Sequence, residues 1–217
     1  MIYEEIVSRI VERTESGMRR KKYSAGAVKH CFWFPEFRKM TELLQSGMSA
    51  EEIGNLNRSE NIFGCSSPKR ADMVFRVVLA RIRALDPGFY PVFLNGDLNT
   101  QKLTALIAAM AHDALLFDFV NELIRDNLLT GRDEFTESDI RAFFRNLQSR
   151  DANAAKWTEY TCGKLAGSYK TMLYEAGLTN KARFRRSVYR PVLEKELELW
   201  LKSQGLSDMI HALTGDE

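Results

Sequence analysis

The chain has 217 residues, 45% hydrophobic and 28% charged, which is typical of a globular protein with a substantial core. The formal net charge is only +2, so a nucleic-acid site would have to arise from local clusters of basic residues. The three widely spaced cysteines fit a reducing compartment, and no apolar run reaches the ~20 residues that a membrane span requires. We therefore expect a cytoplasmic protein that does not enter the membrane.

The first part of the chain predicts three short helices. An amphipathic helix is predicted from Ile2 to about residue 16, and the basic run 18–23 after it is more typical of a solvated linker than of a phosphate contact. A second helix is predicted over 35–45. Ser49 and Glu52 have the capping-box spacing that opens a third.

A longer helix with a basic outer face is predicted next. Ser67 is expected to cap it, Pro68 fills its first position, and it runs to about Leu85 with an apolar face inward. The cationic residues expected outside or on the flanks are Lys69, Arg70, Arg76, Arg81 and Arg83. Only one acid, Asp72, accompanies them, which favours an anionic partner.

Turn signals at 86–88 and 96–97 suggest two halves, 1–95 and 96–217. A long helix is predicted from about Thr100 to Asn127, apolar around most of its circumference, as expected for the buried centre of a helical protein. His112 within it is interpreted as a core or boundary histidine rather than as a ligand.

The stretch from Phe135 to Leu178 repeats the arrangement of a short capped helix, a polar connector and a longer helix. Thr136 and Asp139 are expected to cap the first helix, and the second is predicted from about Thr158 to Gly177. The outward side of this second helix carries hydroxyls, lysines and two glycines, an arrangement typical of a recognition helix in a helix-turn-helix unit. An ordinary solvated face on a helical hairpin is the alternative.

The segment 181–190 contains five basic residues and two aromatics without an acid. In a winged helix the wing follows the recognition helix, and arginines there reach phosphates or a minor groove. At most a short hairpin is expected in this segment. A closing helix from about Pro191 to Leu201 and a last helical turn should follow, with Trp200 and Met209 among their apolar residues.

No catalytic or metal-binding signature occurs in the chain. A phosphate loop, an HExxH motif, zinc spacing and a GxSxG elbow are all missing, and the three histidines are scattered. We therefore expect no enzymatic activity, cofactor, metal or small-molecule substrate.

A succession of segments in this chain resembles the BrxA family, whose members are encoded in bacterial BREX (bacteriophage exclusion) gene clusters. The segments are KYSAGAVKHCFWFPEFRKMTELLQSGMSAEEI, NLNRSENIFGCSSPKRADMVFRVVLARIRAL, GDLNTQKLTALIAAM, FDFVNELIRDNLL, EFTESDIRAFF, AKWTEYTCGKL and MLYEAGLT. The resemblance extends from about Tyr23 to the closing helix, and it consists in the order and spacing of these segments. It implies a small all-helical fold with helix-turn-helix character. It also implies a role in phage defence beside a DNA methyltransferase and other large components.

Taken together, the sequence predicts a compact all-α protein with two helix-turn-helix or winged-helix-like units around a long buried central helix. The favoured function is non-catalytic binding of double-stranded DNA alongside other BREX components. A protein-interaction adaptor anchored by residues such as Trp200 and Met209 is the alternative, and an RNA binder has less support because no exposed aromatic platform is evident. The predicted DNA contacts are Lys69, Arg70, Arg76 and Arg83 in the first unit, Lys156, Thr158, Tyr160, Thr161, Lys164, Ser168 and Lys170 in the second, and Arg183, Arg185, Arg186 and Arg190 after it.

Overall fold

The structure is a computed structural model that describes residues 23–216. The predicted N-terminal helix and most of the basic run 18–23 lie outside the described residues. Helices dominate the rest, as predicted from the helical spacing of apolar residues. The α-helices are α1 (Phe34–Gln45), α2 (Ala50–Glu60), α3 (Pro68–Ile82), α4 (Phe89–Asn95), α5 (Leu98–His112), α6 (Ala114–Val120), α7 (Asp126–Leu129), α8 (Glu137–Arg150), α9 (Glu159–Glu175), α10 (Lys195–Ser203) and α11 (Ser207–Thr214). Shorter turns of 3-10 helix cover Ala25–Lys29 and Ala154–Lys156, and a π-helical turn covers Asn121–Arg125.

The helix starts follow the predicted caps closely. Ser49 and Glu52 form the capping box of α2, and the Ser67 hydroxyl accepts from the amide of Arg70 at the start of α3. Thr136 caps α8 and Thr158 caps α9. These bonds connect residues three apart, so local sequence is sufficient to place them.

The predicted long central helix is interrupted, which corrects the expectation of one helix over 100–127. Asp113 leaves the helical conformation at φ −121°, ψ 99°, and its carboxylate accepts from the amides of Leu115 and Leu116 to start α6. The π-helical turn interrupts the rest before α7. Because a side-chain cap competes with helix continuation, one aspartate turns the chain within a run of apolar residues.

A small antiparallel sheet flanks α8 and α9. Strand β1 (Glu134–Thr136) leads directly into α8 and pairs with β2 (Arg185–Ser187), which follows α9. An additional bridge joins Thr179 to Val188, so residues 179–188 form a hairpin. The hairpin was expected, whereas the partner strand before α8 was not predicted. The elements follow in the order strand, two helices and hairpin. The pairing of β1 with β2 therefore brings the basic segment 181–190 back to the start of α8.

The buried apolar residues form one cluster that draws on both halves of the chain, from Ala27 to Leu213. Helix α5 lies deep within it, with ten of its fifteen residues buried. Within residues 23–216, no helix combines the length and the apolar character needed to cross a bilayer.

Candidate nucleic-acid interface

Helix α9 is oriented by its apolar face. Leu165, Tyr169, Met172 and Leu173 are buried, and α9 packs against the 25–29 turn and against α5. Since these side chains recur every three or four residues, they hold one side of the helix against the core and leave the other side outward.

The outward side is a single stripe, called here the α9 stripe. It consists of Tyr160, Gly163, Lys164, Gly167, Thr171 and Tyr174. From the first to the last residue it spans about 21 Å at the helical rise of ~1.5 Å per residue. Lys164 carries the only formal charge of these six residues, and the exposed Glu159 and Glu175 lie one turn before Gly163 and one turn after Thr171.

The two glycines leave the backbone of α9 uncovered. A Cβ built at Gly163 or at Gly167 would meet no heavy atom within 4 Å. Neither glycine is therefore required by packing within the described fold, although each costs a helix close to 1 kcal/mol relative to alanine. A partner that approaches the helix backbone closely would account for them.

The beginning of α9 combines an exposed aromatic ring with cations. Tyr160 is 74% exposed, and the ammonium of Lys164 lies 5.3 Å from the centre of its ring. The hydroxyl of Thr158 accepts from the amide of Thr161, and the two hydroxyls lie 3.0 Å apart. Lys156 is exposed just before this cap. The predicted contacts at this end of the helix are thus together on the surface.

The hairpin carries a second cationic group at its tip, residues 181–184. Lys181 lies 5.7 Å from the ring centre of Tyr174, which links the tip to the end of the α9 stripe. Arg183 lies 5.2 Å from the ring centre of Phe184. Among residues 23–216, no carboxylate forms a salt bridge with Lys181 or Arg183.

Four of the other predicted cations have partners within the protein, although two of them, Arg185 and Arg190, remain exposed. Lys170 is half-buried and pairs with Glu137 of α8, while Arg185 and Arg190 pair with Glu134 (2.7 Å) and Asp216 (2.8 Å). Arg186 donates to the carbonyls of Lys170 (3.3 Å) and Asn180 (3.0 Å), and burial lowers its pKa. Arg186 therefore holds the hairpin against α9 and does not point outward as expected. Ser168, another predicted contact, is half-buried.

The first unit, α2 and α3, exposes fewer free cations than its sequence suggests. Lys69, Arg70, Arg76 and Arg83 are all exposed, but Arg76 pairs with Asp72 at 3.0 Å, and Arg70 lies 5.9 Å from the ring centre of the buried Trp33. Arg76, Arg83 and His112 line a shallow concavity of about 420 Å³ beside α3.

Arg81 corrects the expectation of a flanking surface cation. It is only 3% exposed, donates to the carbonyl of Phe32 at 2.7 Å and lies 5.6 Å from the centre of the Trp33 ring. Burial lowers its pKa to about 10, while nearby Asp113 acts in the opposite direction. This arginine belongs to the core and has no access to a ligand.

Acidic side chains separate the first unit from the end of α9. Burial raises the pKa of Glu175, and the negative charge of Glu36 on α1 raises it further. Burial also raises the pKa of Cys65, just before α3; the negative charge of the same Glu36 raises it further, and Arg70 opposes this. The two cationic groups therefore do not merge into one basic surface at this point.

Three residues of this surface were not among the predicted DNA contacts. Phe184 is 69% exposed, and Tyr174 and Lys181 are exposed beside each other. The expectation of no exposed aromatic platform was thus wrong. The interleaving of aromatics with basic residues in 181–190 was the signal that could have identified Lys181 and Phe184.

The anchors proposed for an adaptor are not on the surface. Met209 is fully buried, and Trp200 is half-buried with its ring 6.2 Å from that of Phe89. The exposed apolar residues of this region are instead Leu98, Val192 and Leu199. Among residues 23–216, no group of His, Cys, Asp and Glu side chains is arranged to hold a metal ion.

Comparison with known proteins gives consistent results. Residues 21–205 match the family model described as BrxA. A protein named BREX protein BrxA from Bacillus cereus (strain H3081.97) is 30% identical over 199 residues, covering 92% of this chain and 100% of that protein. A second protein of that name, from Paramagnetospirillum magneticum (strain ATCC 700264 / AMB-1), is 23% identical over 169 residues, covering 77% and 85%. The fold is similar to the crystal structure of an uncharacterized protein from Magnetospirillum magneticum, with a TM-score of 0.76 and 20% identity, covering 90% of this chain and 100% of that one.

Proposed function

The chain belongs to the BrxA family of BREX phage-defence systems, and we propose that it acts there as a non-catalytic accessory protein that binds double-stranded DNA. The α9 stripe and the hairpin tip form the main contact surface, and the exposed cations of α3 form a second one. Other components of the defence system are its proposed protein partners. The proposal involves no cofactor and no small-molecule substrate.

The observation that carries this proposal is the α9 stripe itself. Lys164 stands on an outward helix face beside two uncovered glycines, with the exposed acids Glu159 and Glu175 only toward the two ends of the helix, and the stripe ends beside Lys181. Phosphates attract unpaired cations, and an α-helix fits the major groove of B-form DNA. A helix without side chains at two outward positions can approach the bases more closely than one lined by long side chains.

The hairpin supports the same interface from the other side. It follows α9 directly and pairs with the strand before α8, as a wing does beside a recognition helix. The tip thereby carries Arg183 past the end of α9, toward the phosphates that border the groove. The strand, helix, helix and hairpin together resemble a winged helix, which is the form we propose for this unit.

A second candidate is a protein-interaction adaptor, and exposed apolar residues near the closing helix favour it. Leu98, Val192 and Leu199 are each more than half exposed. The amide of Asp97 donates to Glu194 at 3.2 Å, which brings the 192–194 segment to the start of α5. The two roles use different surfaces and are compatible.

A salt titration of binding to duplex DNA tests the proposal. Wild-type protein should bind with a dissociation constant of roughly 10⁻⁴ to 10⁻⁶ M, and affinity should fall steeply with salt because phosphate contacts release counterions. The variant K164A/R183A should bind all sequences more weakly, with a salt slope smaller by about one unit for each lost contact. The variant K69A/R83A should show a separate, smaller reduction.

The matched control is K195A/K202A, which removes the same charge from α10, a helix that packs against α4 and α11. Melting curves establish that each variant is folded. Equal salt slopes for K164A/R183A and the control would show that net charge, and not the α9 surface, governs binding. No binding by folded wild-type protein at low salt would leave the adaptor role in place.

A further inference from the structure

We propose that Phe184 inserts as an apolar wedge between two base pairs of duplex DNA, from the minor-groove side, and bends the duplex. This inference rests on the proposed DNA binding and adds a deformation of the DNA to it. Arginines in the minor groove and apolar wedges at base steps occur together in proteins that bend DNA.

The exposure of Phe184 is the first observation. The ring is 69% exposed at the tip of the hairpin, although the buried cluster takes up most other phenylalanines of the chain. Its neighbour Arg183 lies over it at 5.2 Å. Covering a large exposed apolar ring with a partner is favourable, because it removes apolar surface from water. The cation beside the ring favours a partner that also carries negative charge.

The rigid base of the hairpin is the second observation. The amide of Tyr189 donates to Leu178 at 2.8 Å, and that of Val188 donates to Asp133 at 2.7 Å. The guanidinium of Arg186 bonds two further carbonyls, and Val188 is buried. A wedge must resist the restoring force of stacked bases, and this base fixes the tip to α8 and α9.

The position of the tip is the third observation. Lys181 joins the tip to Tyr174, at the far end of a stripe about 21 Å long. In helix-turn-helix proteins the N-terminal residues of the recognition helix contact the base edges in the major groove, which leaves the C-terminal end of the helix nearer the phosphate backbone. With α9 in that groove, the tip lies past a phosphate strand and faces the neighbouring minor groove. Arg183, which lies over the ring of Phe184, and Lys181 at the same tip then supply cations suited to that groove.

Energy transfer between dyes on the two ends of a 25-base-pair duplex measures the bend. Wild-type protein should shorten the end-to-end distance by an amount that corresponds to a bend of roughly 20–90°. The fluorescence of 2-aminopurine placed along the duplex should rise at one step, because unstacking removes its quenching. F184A should abolish both signals while the salt slope of binding stays unchanged, since no phosphate contact is lost.

Two further variants separate the wedge from charge and from general hydrophobicity. F184L keeps an apolar wedge and should retain the bend. F184R adds a cation and removes the wedge, so it should bind DNA with an equal or larger salt slope and fail to bend it. V192A is the control for loss of an exposed apolar side chain elsewhere and should behave as wild type.

The possible failures are distinguishable. If wild-type protein binds duplex DNA without bending it, or if F184A bends it equally, the wedge is refuted and DNA binding stands. If binding shifts to single strands and depends on Phe184, the ring stacks on unpaired bases, and the wedge is again refuted. If folded wild-type protein does not bind duplex DNA at all, the proposed function fails together with this inference.

Discussion

Helices α3 and α9 carry cations at similar helical intervals, but the fold uses these cations differently. On α3, Arg81 is buried and the exposed Arg76 is paired with Asp72, whereas Lys69, Arg70 and Arg83 are exposed. On α9, Lys164 is exposed between the two uncovered glycines, and the exposed acids Glu159 and Glu175 lie toward the ends of the helix. Helical periodicity therefore indicates which side chains share a face, while the neighbouring elements decide which of them a ligand can reach.

Aromatic residues show the same contrast. In the first unit, Trp33 is buried with Arg70 and Arg81 near its ring. In the second unit, α8 and α9 with the hairpin, Tyr160 and Phe184 remain in water beside Lys164 and Arg183. Cation–π contacts thus stabilise the interior of one unit and lie on the surface of the other.

A buried polar connection joins the two units. Tyr169 of α9 donates to Asp113 at 2.8 Å, and Asp113 is the strongest electrostatic partner of Arg81 on α3. Burial raises the pKa of Asp113 and that of Tyr169. The orientation of α9 relative to α3 therefore depends on a small group of core polar residues.

The largest effect is expected for Arg81, which tests whether the first unit uses its arginines for stability. R81A should lower the free energy of unfolding by about 3 kcal/mol, because it leaves the Phe32 carbonyl unbonded and removes packing around Trp33. The neighbouring R83A should change it by less than about 0.5 kcal/mol, since Arg83 is exposed. Urea unfolding of both variants measures the difference, and equal midpoints would contradict it.

An intermediate effect of opposite sign is expected for the glycines of α9. G163A/G167A should raise the free energy of unfolding by up to about 2 kcal/mol, because alanine favours helix and neither new methyl group meets a neighbour. The same variant should bind duplex DNA more weakly, since the methyl groups hold the helix away from the bases. Unfolding and fluorescence anisotropy are measured on the same samples. A more stable variant with unchanged affinity would show that the backbone of α9 does not approach the DNA.

The smallest effect concerns His30, which lies near the core polar group. Burial lowers its pKa from 6.5 to about 4, and the positive charges of Arg81 and His112 act in the same direction. Below pH 6.5 the unfolded chain takes up this proton first, so the contribution of His30 to stability is present above pH 6.5. It is lost as the pH falls toward about 4.

The variant H30Q isolates this contribution. The stability of wild-type protein relative to H30Q should decrease between pH 6.5 and 4, by no more than about 1 kcal/mol, because water screens a half-buried ring. Thermal unfolding of both proteins at several pH values measures this difference. Taking the difference cancels the pH dependence that other titrating groups contribute to both proteins. A difference that does not depend on pH would mean that His30 has its ordinary pKa in the folded protein.

The helical class and most helix starts could be predicted from the sequence. The capping pairs Ser49–Glu52 and Thr136–Asp139 were predicted from their spacing, because both partners lie within one turn of the chain. The inward and outward sides of α9 also followed from its periodicity. The family resemblance was visible in the order of the segments and is confirmed.

The accessibility of polar and aromatic side chains, in contrast, depends on tertiary contacts. Arg81 and Arg186 look like surface cations in the sequence, yet each donates to carbonyls brought near by distant or looping parts of the chain. Phe184 lies in a segment predicted to be basic and wing-like, but its exposure at the tip depends on the hairpin that pairs with β1. Burial depends on neighbours far apart in sequence, and periodicity describes only one element at a time.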